Sequence, residues 1–345
     1  MNRVIDIAFI DEIKDLLIRA KERVKVAINL TMVYTYYEIR KRIVEQEQKG
    51  ENRAEYGKEI LKRLSEELTK EFGKGYSLTN LKIIRKFYII YSSNQIGQPL
   101  VDQLENFPTT SDGRRFCLSW VMYIQLMRIT NVQERNFYEI EAYKNKWSKR
   151  ELERQYSSSL YERLVLSRDK EGILELSKKG QIIEKPTDAI KDPYILEFLD
   201  LREDERYSEK DLETRIINRL QDFLLELGKG FTFVQRQMRL TFEDEHFYAD
   251  LVLYNRLLRC FVIVDLKTEM ITHQDIGQMQ MYVNYFDRCV KLEEENKTIG
   301  ILLCKNKKDA VVEMTLPEDN NHIFASKYET ILPSKEEFLK LIDEK

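Results

Sequence analysis

The spacing of hydrophobic residues changes character between the two halves of the chain. In the first half the apolar positions recur every three or four residues, which is typical of amphipathic helices. From about residue 209 the pattern becomes helix, strands, helix, strand and helix, as in α/β proteins. Few periodic apolar positions occur between these regions, where the chain-breaking residues are Gly180, Pro186 and Pro193. We therefore predict a helical domain over residues 1–185 and an α/β domain over residues 195–345.

A helix-turn-helix pattern lies within the first predicted domain. Gly73 is suited to end the helix GKEILKRLSEELTKEFG, and Ser77 is suited to cap the next one, LTNLKIIRKFYIIYSS. No acidic residue occurs from Phe72 to Val101. A basic second helix after a tight turn is typical of helices that contact DNA, but an ordinary helix pair with a solvated basic face gives the same pattern. The candidate nucleic-acid contacts on this helix are Lys82, Arg85 and Lys86.

A later helix is predicted to begin at a capping box. Ser148 is a suitable N-cap, and Glu151 occupies the third helical position. Three arginines follow closely, and they could contact phosphates or form surface pairs with neighbouring glutamates; we favour the surface pairs. These arginines are Arg150, Arg154 and Arg163.

Charged residues interrupt two strand-like apolar runs in the second domain. Asp250 lies within FYADLVLYN, and Asp265 and Lys267 lie within CFVIVDLKTE. Side chains alternate between the faces of a strand, so Asp265 and Lys267 share one face. The five-residue link between the runs is short enough for an antiparallel hairpin, which would bring Asp250 towards Asp265.

Buried charges of this kind are costly unless something compensates them. A divalent cation would compensate the two carboxylates, and a phosphate would compensate the lysine. Mg²⁺ prefers oxygen ligands and retains several waters, so two carboxylates and a carbonyl suffice to hold it. The pattern D…DxK therefore indicates a metal site that cleaves phosphodiesters. A structural ion pair between Asp265 and Lys267 is the alternative interpretation.

Composition narrows the range of partners and compartments. The chain has 345 residues and a formal net charge of −3, so a nucleic-acid surface has to be a local patch. Its 4 cysteines lack zinc-finger spacing, and its 3 histidines are dispersed, which argues against a histidine-rich metal site. No apolar stretch is long enough for a membrane span. We expect a cytoplasmic protein with reduced thiols and no membrane partner.

The order of these elements resembles the PD-(D/E)XK nuclease superfamily, and in particular the YhcG-like endonuclease family. The stretches ELGKGF, YADLVLYNRLLRCFVIVDLKTE and IGQMQMYVNYFD carry the likeness in the second domain. In the first domain, YGKEILKRLSEELTKEFGKGYS, LSWVMYIQLMRI and WSKRELERQ resemble the family's helical domain. The resemblance implies an α N-terminal domain, helix-turn-helix or winged-helix-like, followed by an α/β domain. In that second domain it implies a restriction-endonuclease-like mixed β-sheet flanked by helices.

The resemblance also implies roles for particular residues. Asp250, Asp265 and the Leu266 carbonyl would bind Mg²⁺ or Mn²⁺, and Lys267 would position the attacking water or hold the phosphate. The implied supporting residues are Glu213, Gln278 and Tyr282. Glu213 could equally be a surface acid. Glu226 is an alternative candidate for the supporting role, but its position at the end of a helix favours a role in ordering the turn. Gln278 and Tyr282 could be packing residues. Phosphate contact and a solvated strand face are equally open for Arg236 and Arg239.

Together these features predict a metal-dependent nuclease that acts on DNA through a metal-activated water. A DNA-binding or assembly module that has the fold but does not cleave is one alternative, and an RNA-directed nuclease is another. Contact with a protein partner through the N-terminal domain, or a homodimer, is a further expectation.

Overall fold

A computed structural model describes residues 7–47, 53–92, 108–166, 170–201, 207–332 and 334–343. Up to residue 201 the elements are α1 (Ile7–Glu47), α2 (Arg53–Phe72), α3 (Leu78–Ser92), α4 (Trp120–Leu126), α5 (Val132–Lys144), α6 (Lys149–Ser157), α7 (Leu160–Leu166), α8 (Lys170–Lys179), α9 (Pro186–Ala189) and β1 (Tyr194–Ile195). After residue 206 they are α10 (Glu209–Asn218), α11 (Leu220–Leu227), β2 (Phe231–Phe242), β3 (Glu245–Asn255), β4 (Cys260–Met270), α12 (His273–Tyr285), β5 (Ile299–Asn306), α13 (Asp309–Thr315), β6 (Ile323–Glu329) and α14 (Lys335–Asp343).

The chain divides into two compact units. The first unit comprises Met1–Arg154 and Lys170–Gly180, and the second comprises Gln155–Asp169 and Gln181–Lys345. The second unit thus includes α7, which the predicted boundary at residue 185 assigns to the first domain.

The first unit contains the predicted pair of helices. Helix α2 ends at Phe72, and Gly73 follows in the left-handed region with φ of 87°. The Ser77 hydroxyl accepts a hydrogen bond from the Asn80 amide at 3.4 Å, as expected of an N-cap. Apolar residues of α1, α2 and α3 form one cluster, whose buried members are Ile43, Leu61, Leu81 and Ile84. Within the described residues every strand lies at or beyond Tyr194, so a winged-helix character is not shown.

The predicted capping box at the start of α6 is confirmed. The Ser148 amide donates to Glu151 Oε2 at 2.6 Å, and the Glu151 amide donates to Ser148 Oγ at 3.3 Å. Each side chain therefore satisfies an amide of the first helical turn that has no partner within the helix.

Both interpretations of Arg163 are wrong. This side chain is fully buried, and its Nη1 lies 2.6 Å from Glu226 Oε1, which is also fully buried. Glu226 in turn accepts a hydrogen bond from the Ile195 amide at 3.0 Å. Glu226, on α11, therefore connects α7 and β1 within the second unit. The predicted role of Glu226 in ordering a turn thus extends to contacts between three segments.

The second unit is built on a mixed six-stranded sheet in the order β1-β6-β5-β4-β3-β2. Strands β2, β3 and β4 are antiparallel neighbours, whereas β4, β5, β6 and β1 run parallel. Helices α10 and α11 contribute to one apolar cluster on the sheet and α12 to another. The prediction of a mixed sheet flanked by helices is confirmed in this form.

The side chains of β4 alternate between these two clusters as expected for a strand covered on both faces. Val262 and Val264 pack with the cluster that includes α10, and Ile263 packs with the cluster that includes α12. Strand β3 departs from this rule at one point: Leu251 packs on the α10 side, whereas Ala249 packs on the α12 side. The predicted alternation through β3 is therefore wrong at Asp250, where it reverses.

No helix among the described residues is both long enough and apolar enough to cross a bilayer.

Candidate active site

The predicted site lies where two neighbouring strands separate. Pairing between β3 and β4 runs from Asn255 and Cys260 as far as Leu251 and Val264. Beyond that point β3 continues to pair with β2, and β4 continues to pair with β5. Asp250 and Asp265 are the next residues of the two strands, so they occupy the fork.

At the fork, a hydrogen bond from a side chain takes the place of the backbone hydrogen bonds between β3 and β4. Asp250 Oδ2 accepts a hydrogen bond from the Leu266 amide at 2.8 Å. The carboxylate is thereby tied to the neighbouring strand, directly beside Asp265. The predicted proximity of Asp250 to Asp265 is consistent with this contact.

Lys267 lies within a ring of carboxylates. Its Nζ is 2.9 Å from Asp265 Oδ2, 3.6 Å from Glu209 Oε2 and 3.8 Å from Asp275 Oδ1. Burial opposes the charged form of Lys267, but Asp265 and Glu209 outweigh it and raise the pKa of the ammonium. Lys267 is therefore a fixed positive charge beside the two aspartates.

Burial and neighbouring negative charge disfavour the ionisation of the two aspartates. Burial is the largest influence on Asp250, and together with the negative charge of Asp265 it raises the pKa of Asp250. Burial also raises the pKa of Asp265, although Lys267 acts in the opposite direction. Two partly desolvated carboxylates that share one site are electrostatically unfavourable without an additional cation.

Glu213 lies beside the fork but does not reach it directly. It is buried on α10, where Oε2 accepts from Gln237 Nε2 at 2.8 Å and Oε1 is 3.0 Å from Arg236 Nε. The same Gln237 nitrogen donates to Asp250 Oδ1 at 2.9 Å. The structure thus brings Glu213 to the site through one intervening amide, and it pairs Arg236 with Glu213.

Tyr282 is close to the carboxylates, as the resemblance implied. Its hydroxyl donates to the Tyr248 carbonyl at 3.1 Å. Burial, followed by the charges of Asp265 and Asp250, raises the pKa of Tyr282 to about 12. Gln278 lies one turn earlier on α12 and is half-buried, and no hydrogen bond of its side chain occurs within the described residues.

The remaining predicted nucleic-acid contacts lie on exposed surfaces. Arg239 is exposed on β2, opposite Tyr248 of β3. The three basic residues of α3 are also exposed, in the first unit: Lys82, Arg85 and Lys86.

Three residues of the site were absent from the sequence-based prediction. Glu209 precedes Glu213 by one helical turn, so helical spacing alone could have identified it. Asp275 is the third residue of α12 and completes a capping box with the N-cap Thr272, whose amide donates to one Asp275 oxygen at 2.7 Å. The other Asp275 oxygen faces Lys267. Gln237 gave no signal in the sequence, because its position depends on an unusual backbone conformation, φ of 46°.

Comparison with known proteins identifies the family of the chain. The family described as YhcG PDDEXK nuclease domain matches residues 187–342, and the family described as DUF1016 N-terminal domain matches residues 12–163. A protein of Escherichia coli (strain K12), provisionally named as the nuclease YhcG, is 39% identical over 333 residues. The match covers 92% of this chain and 88% of that protein. The chain belongs to the YhcG family.

Solved structures give a weaker likeness. A repair endonuclease from Pyrococcus abyssi is 15% identical with a TM-score of 0.26, covering 39% of this chain and 50% of its own. A complex of EndoMS with double-stranded DNA is 13% identical with the same TM-score of 0.26, covering 39% and 51%. This chain spans about half the length of these structures.

The donor set of this YhcG-family chain fits a divalent cation. Two carboxylates of neighbouring strands meet at one point, and burial has removed part of their hydration. Among the described residues no group of three or more His, Cys, Asp or Glu side chains forms a cage. Carboxylate oxygens are the ligands that hard divalent cations take in proteins.

The raised pKa of Asp250 predicts a pH-dependent instability of the metal-free protein. The folded state binds more protons than the unfolded state between the ordinary carboxyl pKa and the raised one, so the free energy of unfolding falls as pH rises through that window. We expect Asp250→Asn to gain stability relative to the unmodified chain as pH rises from about 4 to about 8 in EDTA. Urea unfolding at several pH values measures this difference, and a difference that is constant with pH would contradict it.

Proposed function

We propose that this chain is a metal-dependent nuclease that hydrolyses phosphodiester bonds in DNA. The observation that carries the proposal is the meeting of Asp250, Asp265 and Lys267 at the fork of a mixed sheet, within a region that matches a nuclease family. Two acids and one ammonium around a common point are the groups that metal-assisted phosphodiester cleavage requires.

Each group has a definite task in this proposal. Asp250 and Asp265, with the Leu266 carbonyl, would hold Mg²⁺ or Mn²⁺, which supplies an activated water and neutralises charge on the phosphate. Lys267 would hold a non-bridging phosphate oxygen, and Glu209 and Asp275 keep its ammonium in place. Glu213 and Tyr282 would support the aspartates from α10 and α12, and Gln278 is proposed to face the substrate from α12.

We propose that Lys267 exchanges a carboxylate partner for the substrate phosphate, which would account for the three carboxylates around one ammonium. Lys267 forms ion pairs with three carboxylates. A phosphate has to compete for the same ammonium, and a divalent cation on Asp265 would weaken the hold of that carboxylate on Lys267. We therefore expect substrate and cation to bind cooperatively.

The helical region is proposed to bind nucleic acid or a protein partner as a separate functional domain, 1–185, joined to the nuclease domain, 195–345. A helix-turn-helix or winged-helix-like mode of DNA contact through the basic face of α3 is part of this proposal.

In the nuclease domain, Arg239 is proposed as a backbone-phosphate contact, whereas Arg236 forms an ion pair with Glu213. A homodimer is proposed because cleavage of paired strands often uses two active sites. The four free cysteines favour a reducing cytoplasm as the location.

Purified full-length protein incubated with several DNA forms tests the nuclease proposal. Supercoiled, linear, single-stranded and branched DNA, and an RNA of matched sequence, would each be offered with Mg²⁺, with Mn²⁺ and with EDTA. We expect DNA cleavage with either metal and none with EDTA. Salt-sensitive binding without cleavage under every condition would instead establish a non-cleaving module, and cleavage confined to RNA would establish an RNA-directed enzyme.

The basic face of α3 yields a separate prediction. Replacing Lys82, Arg85 and Lys86 together by alanine should weaken DNA binding by all sequences alike. Each lost phosphate contact lowers the slope of log K against log salt by about 1, so the triple variant should lose a slope of up to about 3. Fluorescence anisotropy between low and moderate salt measures this slope.

Three exposed basic residues of α2 provide a matched control with the same change in charge. Their replacement should leave the salt slope within the error of the unmodified chain if α3 makes the contacts. An equal loss in both triple variants would show a general charge effect and would refute a specific role for α3. The control residues are Lys62, Arg63 and Lys70.

A further inference from the structure

Gln237 occupies an unusual position on β2. The pairing of Arg236 with Leu251 and of Met238 with Ala249 places Gln237 directly opposite Asp250. Its φ is 46°, in the left-handed region that non-glycine residues rarely adopt and that is out of character for a strand. Such conformations persist only where the surroundings impose them, and they cluster at functional sites.

The amide group of Gln237 connects two acids of the site. Its Nε2 donates to Glu213 Oε2 at 2.8 Å and to Asp250 Oδ1 at 2.9 Å. An amide nitrogen has two hydrogens, so both are used on carboxylates. The other oxygen of Asp250 is held by the Leu266 amide at 2.8 Å, so both oxygens of this carboxylate are fixed.

We propose that Gln237 is a positioning residue that orients Asp250 towards a divalent cation and connects Glu213 to that task. This inference rests on the proposed function. The amide places a donor between two negative charges, and it remains neutral at every accessible pH. Because neither hydrogen of the amide is free, the side chain cannot rotate without the loss of a hydrogen bond to a partly desolvated carboxylate.

The backbone conformation is part of the arrangement. The reversal of side-chain alternation in β3 occurs at Asp250, opposite the left-handed residue of β2. If β2 and β3 kept regular strand geometry at Gln237 and Asp250, the part of the hairpin between these two residues would present its apolar side chains to the other side of the sheet. We infer that the irregularity at Gln237 allows the hairpin to cover α12 while Asp250 remains in the fork.

Titration of Mn²⁺ into DNA-free, full-length protein tests this role directly. Gln237→Met keeps the length of the side chain and removes both donors. We expect its affinity for Mn²⁺ to be about tenfold weaker, since the loss of a group that orients a metal ligand typically costs this much or more. Gln235→Met, at an exposed position two residues earlier on β2, should bind Mn²⁺ as tightly as the unmodified chain.

A double-mutant cycle tests the connection to Glu213. If Glu213 acts on Asp250 through Gln237, the loss of Mn²⁺ affinity in Glu213→Ala combined with Gln237→Met should be smaller than the sum of the two single losses. Additive losses would refute the connection. All titrations would be made well below the lowest unfolding temperature of the set, so that a loss of affinity reports on folded protein.

A second variant keeps the test decisive if Gln237→Met does not fold. Gln237→Asn retains an amide and a residue type that tolerates positive φ, but it is one methylene too short to reach both carboxylates. It should lose the same affinity. Unchanged Mn²⁺ binding in a folded Gln237 variant, or an equal loss in Gln235→Met, would overturn the proposal.

The outcome for Gln237 can be separated from the outcome for the nuclease. Because binding is measured without DNA, a chain that binds Mn²⁺ through Asp265 yet cleaves nothing would refute the nuclease while the comparison of Gln237 and Gln235 still stands. A chain that binds no Mn²⁺ at this site would overturn both.

Discussion

Replacing Asp250, Asp265 or Lys267 by alanine should lower the rate of metal-dependent DNA cleavage by on the order of hundreds-fold or more. Removal of one preorganised charge that stabilises a transition state costs ~3–4 kcal/mol of barrier in comparable cases. The three groups surround one point, where each would act on the same phosphate and cation. Initial rates on a labelled DNA substrate, compared at equal protein concentration, measure the effect.

Glu269 provides a matched control for these variants. It is an exposed acid on β4, two residues beyond Lys267. Glu269→Ala should cleave at the rate of the unmodified chain, and circular dichroism should show that all four variants are folded. Retention of cleavage in the Asp250, Asp265 and Lys267 variants would refute the site.

The loss of Glu226 should have the largest effect on stability. Glu226→Ala leaves the Arg163 guanidinium fully buried without its carboxylate and also removes the acceptor of the Ile195 amide. Breaking a buried ion pair by removing one partner typically costs ~3–5 kcal/mol. Urea unfolding followed by circular dichroism measures the loss.

Asp222 offers the comparison on the same helix. It forms a surface ion pair with Arg219 at 2.8 Å, in which the side chain of Arg219 is 40% exposed and that of Asp222 is 32% exposed. Asp222→Ala should therefore cost about 1 kcal/mol or less, as is usual for exposed pairs. Similar losses for Glu226→Ala and Asp222→Ala would show that the buried pair has no special weight.

The sequence was most informative where local spacing decides the structure. Strand periodicity placed Asp265 and Lys267 on one face, and the structure places their charged groups 2.9 Å apart. The capping box at Ser148 and the cap at Ser77 follow from side chains that satisfy amides within three residues. These contacts are local, so they can be predicted from the sequence without knowledge of the fold.

Contacts between distant segments could not be predicted in this way. Arg163 and Glu226 are 63 residues apart, and only the packing of the second unit brings them together. Gln237 required knowledge of a backbone angle that departs from strand geometry. The reversal at Asp250 lies opposite that residue, so strict alternation failed at the residue that matters most for the site.

Binding of one divalent cation by Asp250 and Asp265 at the fork of β3 and β4 is the basis of the proposed activity. Anomalous diffraction from crystals of the full chain soaked in Mn²⁺ tests it most directly. We expect a peak at about 2 Å from a carboxylate oxygen of each aspartate, absent from crystals of Asp265→Ala. A peak at another site with none at the fork, or no ordered Mn²⁺ at saturating concentration, would contradict the account.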